Sequence, residues 1–223
     1  SRDYATNWAR YWRDVIQYRA TNQNGGRIGF EDLEDWLETQ LAANRPWDEV
    51  TRTLLTATGR NDENGAVVFN LAHAANNDIP APELAGEVSR IFLGVQIQCA
   101  QCHDHPNDAW KRQQFHEFAS FFAGGKARRA GGQGATAFEV VQLGRPRYTM
   151  PDLKDKAIAV APRFFLTSNA PSLPNTLTSA DRHDLAARYI VAQDNPWFAR
   201  AFVNRIWYAL MGDSFYTPVD DLG

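Results

Sequence analysis

Residues 92–122 read FLGVQIQCAQCHDHPNDAWKRQQFHEFASFF, and this stretch decides the predicted fold. Its beginning completes an apolar pattern with helical spacing that runs from Glu83 to about Gln98. Its second half repeats that spacing from Lys111 to Phe122. The polar segment between the two patterns contains both cysteines of the chain. The sequence therefore predicts two buried helices with a chemically reactive segment between them.

Helical spacing continues outward from this stretch in both directions. Apolar side chains recur every three or four residues in five further segments, which we predict as helices: Tyr4 to Arg19, Phe30 to Ala43, Trp47 to Ala57, Ser179 to about Ala192 and Asn195 to about Met211. Residues 59–65 are polar and predict a loop, and residues 67–75 fit either a strand or a helix. Most of the chain is thus predicted to be helical.

The middle of the chain has a different composition. Residues 124–135 are rich in Gly, Ala and Arg, which predicts a mobile surface loop. Residues 136–166 alternate apolar and polar side chains between prolines, which predicts short strands. The predicted fold class is mainly α, with a small extended, β-containing segment in the middle. We predict a helical domain with the cysteine motif over residues 1–123, a loop and short-strand segment over 124–175, and a second helical part over 176–223.

The composition excludes several classes of protein. The 223 residues are 44% hydrophobic and 22% charged, as in ordinary globular domains. The formal net charge of −3 gives no basic excess for a phosphate backbone, which argues against nucleic acid as a partner. No apolar run approaches the roughly 20 residues that span a bilayer, and two cysteines are too few for a disulfide scaffold. No P-loop, metalloprotease, EF-hand or dinucleotide motif occurs, so no catalytic residue is assigned.

The strongest motif is Cys99-Ala100-Gln101-Cys102-His103, which has the C-x-x-C-H pattern of covalent c-type haem attachment. Two thiols at this spacing can add to the two vinyl groups of one haem. The histidine that follows the second cysteine is then held beneath the iron as its proximal ligand. The motif therefore predicts a haem c bound covalently at Cys99 and Cys102, with His103 on the iron.

Other interpretations of the same residues remain open. Cys99, Cys102, His103 and His105 are four donors that fit Zn²⁺ or a non-haem iron, which would make the chain a metal-binding enzyme or binding domain. C-x-x-C is also the pattern of a redox disulfide, and a Cys99–Cys102 disulfide would fit an interaction module. Two inert thiols are the remaining alternative.

A second axial ligand would decide what a bound haem can do. A His or Met ligand gives a six-coordinate electron carrier, whereas an open position permits ligand chemistry. Met150, in an extended segment before a proline, is the first candidate, and His116 and His73 follow. His105 lies too near His103 in the chain to reach the opposite face of the ring.

The residues after the motif carry a resemblance to a known family. Residues 104–110 read DHPNDAW, and with the rest of residues 92–122 they resemble the planctomycete-type cytochrome c domain family. Residues 195–207 (NPWFARAFVNRIW) and 218–221 (PVDD) resemble the start of the companion domain in such proteins, so that 176–223 would be its truncated beginning. The resemblance covers most of residues 1–122 and again residues 194–223.

The resemblance implies an extracytoplasmic haem protein, periplasmic or secreted. We therefore expect a haem-binding domain that transfers electrons within a larger redox protein. Its partner would be a redox partner protein or a neighbouring domain of the same parent chain. The chain starts within a helix-like pattern and stops without a closing element, which likewise predicts a piece of a longer protein. Near its end, Asn204 and Arg205 could form a site with Asp220 and Asp221, and we favour helix packing and an ion pair in this group of residues.

Overall fold

The structure is a computed structural model that describes residues 1–20, 28–131, 137–151, 156–167 and 169–222. Eight α-helices lie within these residues: α1 (Arg2–Gln17), α2 (Glu31–Ala42), α3 (Trp47–Thr56), α4 (Val68–Leu71), α5 (Ala81–Val88), α6 (Arg112–Ala119), α7 (Ser179–Ile190) and α8 (Pro196–Met211). The five helices predicted on either side of the motif are confirmed as α1, α2, α3, α7 and α8. In the described part of the chain, no helix combines the length and the apolar character needed to cross a bilayer.

Five short strands complete the fold: β1 (Gly59–Arg60), β2 (Gly125–Arg129), β3 (Phe138–Gln142), β4 (Thr149–Pro151) and β5 (Ala157–Ala159). The first three form an antiparallel sheet in the order β1-β3-β2, in which Val140 lies opposite both Gly59 and Ala127. The strands β4 and β5 form a separate antiparallel pair, with Met150 opposite Ile158. This arrangement confirms the predicted class, mainly α with a small β-containing segment.

Two of the predicted loops are partly strands. Residues 125–129 form β2, so the predicted mobile loop over 124–135 is wrong there, and residues 132–135 lie outside the described residues. Gly125 and Ala127 are the buried positions of β2. Glycine and alanine are too small to give the alternation of large apolar and polar side chains that marks a strand in a sequence. Residues 59–60 of the predicted polar loop form β1, which is too short to leave a pattern.

The helix before the cysteine motif ends earlier than predicted. A single wider turn of π type covers Ser89–Leu93, and Gly94 then adopts the left-handed conformation with a φ of 62°. A Cβ atom on Gly94 would lie only 2.7 Å from Cγ of Leu222, so this close approach requires glycine. The chain next forms a 3₁₀ turn over Ile97–Gln101. The cysteines therefore lie on a tight turn that is separate from the helix.

One hydrophobic core joins the N-terminal helices, the middle of the chain and α7. Aromatic rings fill the region beneath α6, where Phe118 contacts Phe122 and Phe165 edge to face with ring centroids 5.3 and 5.0 Å apart. This packing gives α6 a rigid support, and α6 in turn holds the cysteine turn. The division into residues 1–123, 124–175 and 176–223 stays a prediction.

Buried ion pairs connect the end of the chain to the turn after α5. The carboxylate of Asp220 lies 2.9 Å from Nη1 of Arg90 and 2.5 Å from Nη2 of Arg205. Arg90 also pairs with Glu87 at 2.6 Å, and the Arg90 and Glu87 side chains are almost completely buried. Arg205 and Asp220 thus form the ion pair that was expected near the end of the chain.

Candidate functional site

The two cysteines lie at the surface on a turn that is anchored from below. Ile97 and Ala100 of this turn are buried, whereas Cys99 and Cys102 are exposed and both thiols are free. A 3₁₀ turn brings residues i and i+3 onto the same side, which is the spacing of the two cysteines. Both thiols, at and directly after this turn, are therefore accessible from solvent.

The main-chain oxygen of Gln101 fixes this turn to α6. It accepts one hydrogen bond from Nε2 of His116 at 3.0 Å and a second from Nε of Arg112 at 3.3 Å. The Arg112 guanidinium also donates to the main-chain oxygen of Pro151 in β4. The segment between the thiols is thus held by a helix and, through Arg112, by a strand.

His116 forms a second hydrogen bond deeper in the structure. Its Nε2 donates to Gln101, so Nδ1 of the neutral ring accepts from the hydroxyl of Tyr148 at 2.8 Å. Burial and, to a smaller extent, the positive charge of Arg112 lower the pKa of His116, while burial raises the pKa of Tyr148. Both ring nitrogens of His116 are engaged here, and its role as a second iron ligand stays a prediction.

His103 is exposed and has a defined tautomer. Its Nδ1 donates to the main-chain oxygen of Asp104 at 2.6 Å, which leaves the lone pair on Nε2 for a metal ion. The Asp104 carboxylate accepts from the backbone N–H of Arg112 at 3.0 Å and pairs with Nζ of Lys111 at 3.1 Å. These two contacts lower the pKa of Asp104 and connect the end of the motif to the start of α6.

His105 belongs to a loop that closes on itself. Its backbone N–H donates to the main-chain oxygen of Trp110 at 2.8 Å, and its Nδ1 accepts from the backbone N–H of Asp108 at 3.0 Å. Across the described residues, no three His, Cys, Asp or Glu side chains are grouped so as to hold a metal ion. The four-donor site of Cys99, Cys102, His103 and His105 stays a prediction.

The other two candidate iron ligands are buried. Met150 is 8% exposed and lies in the middle of β4, between Thr149 and Pro151, which line a cavity beside the motif. Because successive side chains of a strand point to opposite faces, Met150 faces away from that cavity. His73 is 1% exposed, and burial together with the nearby charge of Arg90 lowers its pKa to about 4. Their roles as iron ligands stay predictions.

A cavity of about 830 Å³ lies on one side of the motif. Cys102 lines it, whereas Cys99 and His103 are not among the residues of its wall. Its described wall combines apolar side chains with cations and with the buried His116–Tyr148 pair: Asp78, Ile79, Pro80, Ala81, Pro82, Gln101, Cys102, Arg112, His116, Ala123, Gly124, Lys126, Leu143, Pro146, Arg147, Tyr148, Thr149 and Pro151. Sequence reasoning missed Tyr148 and the cavity because they depend on how residues 78–82, α6 and residues 143–151 pack together.

Two family models match parts of the chain. The family described as PSCyt2: Protein of unknown function (DUF1549) matches residues 1–127, which is more than half of the chain. The family described as PSD1: Protein of unknown function (DUF1553) matches residues 181–223, which fits the predicted start of a companion domain. No curated protein and no solved structure matches the chain.

Proposed function

The chain belongs to the family described as PSCyt2, protein of unknown function (DUF1549), and we propose that it is a c-type haem-binding domain for electron transfer. Haem c would be attached at Cys99 and Cys102, with His103 on the iron. The family name points to a cytochrome-c-related domain, and the description assigns no function. The match to a second family at residues 181–223 supports the proposal that the domain is part of a larger chain.

The observation that carries the proposal is the exposure of three side chains at and directly after the 3₁₀ turn. Cys99 and Cys102 are free, exposed thiols, and His103, the next residue in the chain, has its Nε2 lone pair available. Ligating histidines nearly always donate their other ring N–H to a carboxylate, a main-chain oxygen or water. The bond from Nδ1 of His103 to Asp104 supplies such a partner. These residues therefore fit a covalently attached haem.

The supports around the turn suit a fixed attachment site. Gln101 cannot rotate its carbonyl without breaking the hydrogen bonds from His116 and Arg112. Asp104 is tied to the N-terminal end of α6 through the Arg112 backbone. These bonds restrain the main chain that carries both thiols and the imidazole, which limits the backbone conformational entropy lost on attachment.

A bound haem iron supplies a one-electron redox couple, and its axial ligands and surroundings set the potential. A redox partner could approach the attachment site directly, since Cys99, Cys102 and His103 all lie at the surface. Electrons would pass to a redox partner protein or to a neighbouring domain of the same parent chain. Covalent haem attachment also leads us to propose an extracytoplasmic location, periplasmic or secreted.

Absorption spectra of the chain, produced together with c-type haem maturation enzymes, test the proposal. We expect a Soret band that stays with the protein after acidic acetone extraction, and sharp α and β bands on reduction if two strong axial ligands are present. In the double variant Cys99→Ala/Cys102→Ala, extraction should remove all colour. A colourless chain, produced beside a control cytochrome c that matures normally, would contradict the proposal.

A further inference from the structure

The 830 Å³ cavity beside the motif has the size and wall of a small-molecule site. Pockets for small ligands usually measure about 300–1,000 Å³ and combine an apolar wall with a few polar groups. The wall includes apolar residues: Ile79, Pro80, Ala81, Pro82, Leu143 and Pro146. It also includes the His116–Tyr148 pair and the cations Arg112, Lys126 and Arg147. A ligand of matching chemistry would have an apolar body and a polar end.

The charges of the wall are not balanced. Asp78 is the one carboxylate among the described wall residues, and it pairs with Lys126 at 3.0 Å. Within the described residues, Arg112 and Arg147 have no carboxylate at ion-pair distance. Arg112 is held in place by the main-chain oxygens of Gln101 and Pro151, which orient its guanidinium without neutralising it. The cavity therefore has two unmatched positive charges.

The neighbouring surface adds to this positive field. A second cavity of about 550 Å³ shares Lys126 and Leu143 with the first and is also lined by Arg128 and Arg129 of β2. Clefts lined by charge of one sign raise the local concentration of ligands of the opposite sign. Arg128 and Arg129 would attract an anion toward the mouth of the larger cavity, where the two unmatched guanidinium groups can bind it.

We infer that the 830 Å³ cavity is a binding site for a diffusible organic anion, a molecule with a carboxylate or sulfonate group on an apolar body, whose anionic group binds Arg112 and Arg147. Arginine guanidinium groups bind such planar or branched oxyanions with two parallel hydrogen bonds. The Tyr148 hydroxyl donates a hydrogen bond to His116, so the hydroxyl oxygen can accept a hydrogen bond from the same ligand. The ligand would lie against Cys102, next to the proposed haem attachment site.

The cavity shares one residue with the proposed haem attachment site. Cys102 lines its wall, whereas Cys99 and His103 do not belong to it. Arg112 donates from Nε to the main-chain oxygen of Gln101, the residue directly before Cys102, at 3.3 Å. The anion site and the haem attachment site therefore meet at Cys102, and a titration with and without haem distinguishes the two.

Calorimetric titration with 8-anilinonaphthalene-1-sulfonate, an aromatic sulfonate, tests the inference on the full chain, both with and without haem. We expect one binding site in both forms and binding about tenfold weaker in Arg147→Gln, since charge-assisted hydrogen bonds are lost. The matched control is Arg145→Gln, which removes an exposed arginine two residues away that does not line the cavity and should leave the affinity unchanged.

A second measurement does not depend on arginine variants. In haem-free Cys99→Ser, the single remaining thiol of Cys102 should react with N-ethylmaleimide several times more slowly when the sulfonate is bound. Equal affinity in Arg147→Gln and Arg145→Gln, or no protection of Cys102, would overturn the inference. Binding to the haem-free chain alone would also overturn it, because the cavity would then belong to the haem.

Discussion

His116 donates a hydrogen bond from Nε2 to the main-chain oxygen of Gln101, the residue directly before Cys102, with a distance of 3.0 Å between the two atoms. His116 belongs to α6, which the aromatic core supports, whereas Gln101 lies in the exposed cysteine turn. The bond therefore restrains the segment that carries the thiols, because it ties that segment to the packed core.

Removing the His116 side chain should loosen the cysteine turn. His116→Leu loses the bonds to Gln101 and Tyr148, and we expect the free energy of unfolding to fall by about 1–3 kcal/mol because buried polar groups lose their partners. Tyr148→Phe removes only one of the two bonds and should cost about 0.5–1.5 kcal/mol. Urea unfolding measures both values. A smaller loss in His116→Leu than in Tyr148→Phe would contradict the account.

The buried His73 should make stability depend on pH. Its pKa is lowered from 6.5 to about 4, so below pH 6.5 the unfolded chain binds a proton that the folded chain does not. Stability due to this residue is complete above pH 6.5 and is lost as the pH falls toward 4.

The variant His73→Gln isolates this contribution. Between pH 7.5 and 4.5 the wild type should lose about 2–3 kcal/mol more stability than His73→Gln. His116 and His183, whose pKa values burial also lowers, are present in both proteins and cancel in the comparison. Parallel curves of unfolding free energy against pH for the two proteins would show that His73 does not titrate in this way.

The ion pairs of Asp220 should be important for stability. Asp220→Asn removes the carboxylate that pairs with Arg90 and Arg205, both almost completely buried, and we expect a loss of about 3 kcal/mol. Asp184→Asn removes an exposed partner of Arg188 and should cost less than about 0.5 kcal/mol. Thermal and urea unfolding measure the difference. Equal losses in the two variants would mean that the buried network contributes little.

The state of the thiols can be counted directly. Because Cys99 and Cys102 are free and exposed, the native haem-free chain should react with two equivalents of Ellman's reagent without denaturant. If no thiol is detected until a reductant is added, the residues form a disulfide, as in the interaction-module interpretation. After haem maturation the count should fall to zero and remain there in the presence of reductant.

The helices were largely predictable because their apolar spacing is long and regular. Pro196 and Asn195 marked the start of α8, and Asn195 does accept a hydrogen bond from the Trp197 backbone as N-cap. For α7, which was predicted to begin at Ser179, the capping residue is Thr178, and it forms a reciprocal capping box with Asp181. Ser and Thr cap helices in the same way, so the sequence does not show which of two adjacent Ser and Thr residues is the cap.

The motif was visible in the sequence, but its supports were not. Gln101 contributes through its main-chain oxygen, which every residue type has, so no sequence signal marks it. The helical segment after α5 ends at Gly94, which lies close to Leu222, a residue 128 positions away in the chain. The cavity likewise joins residues 78–82 to residues 143–151. Contacts between distant segments are the part of the site that apolar spacing does not encode.

The intact mass of the denatured chain, after production with c-type haem maturation enzymes, shows directly whether haem is attached covalently at Cys99 and Cys102. We expect a mass increase equal to one haem, retained under denaturing conditions, and no increase in Cys99→Ala/Cys102→Ala. An unmodified mass for the wild type, while a control cytochrome c from the same cells carries its haem, would contradict this expectation.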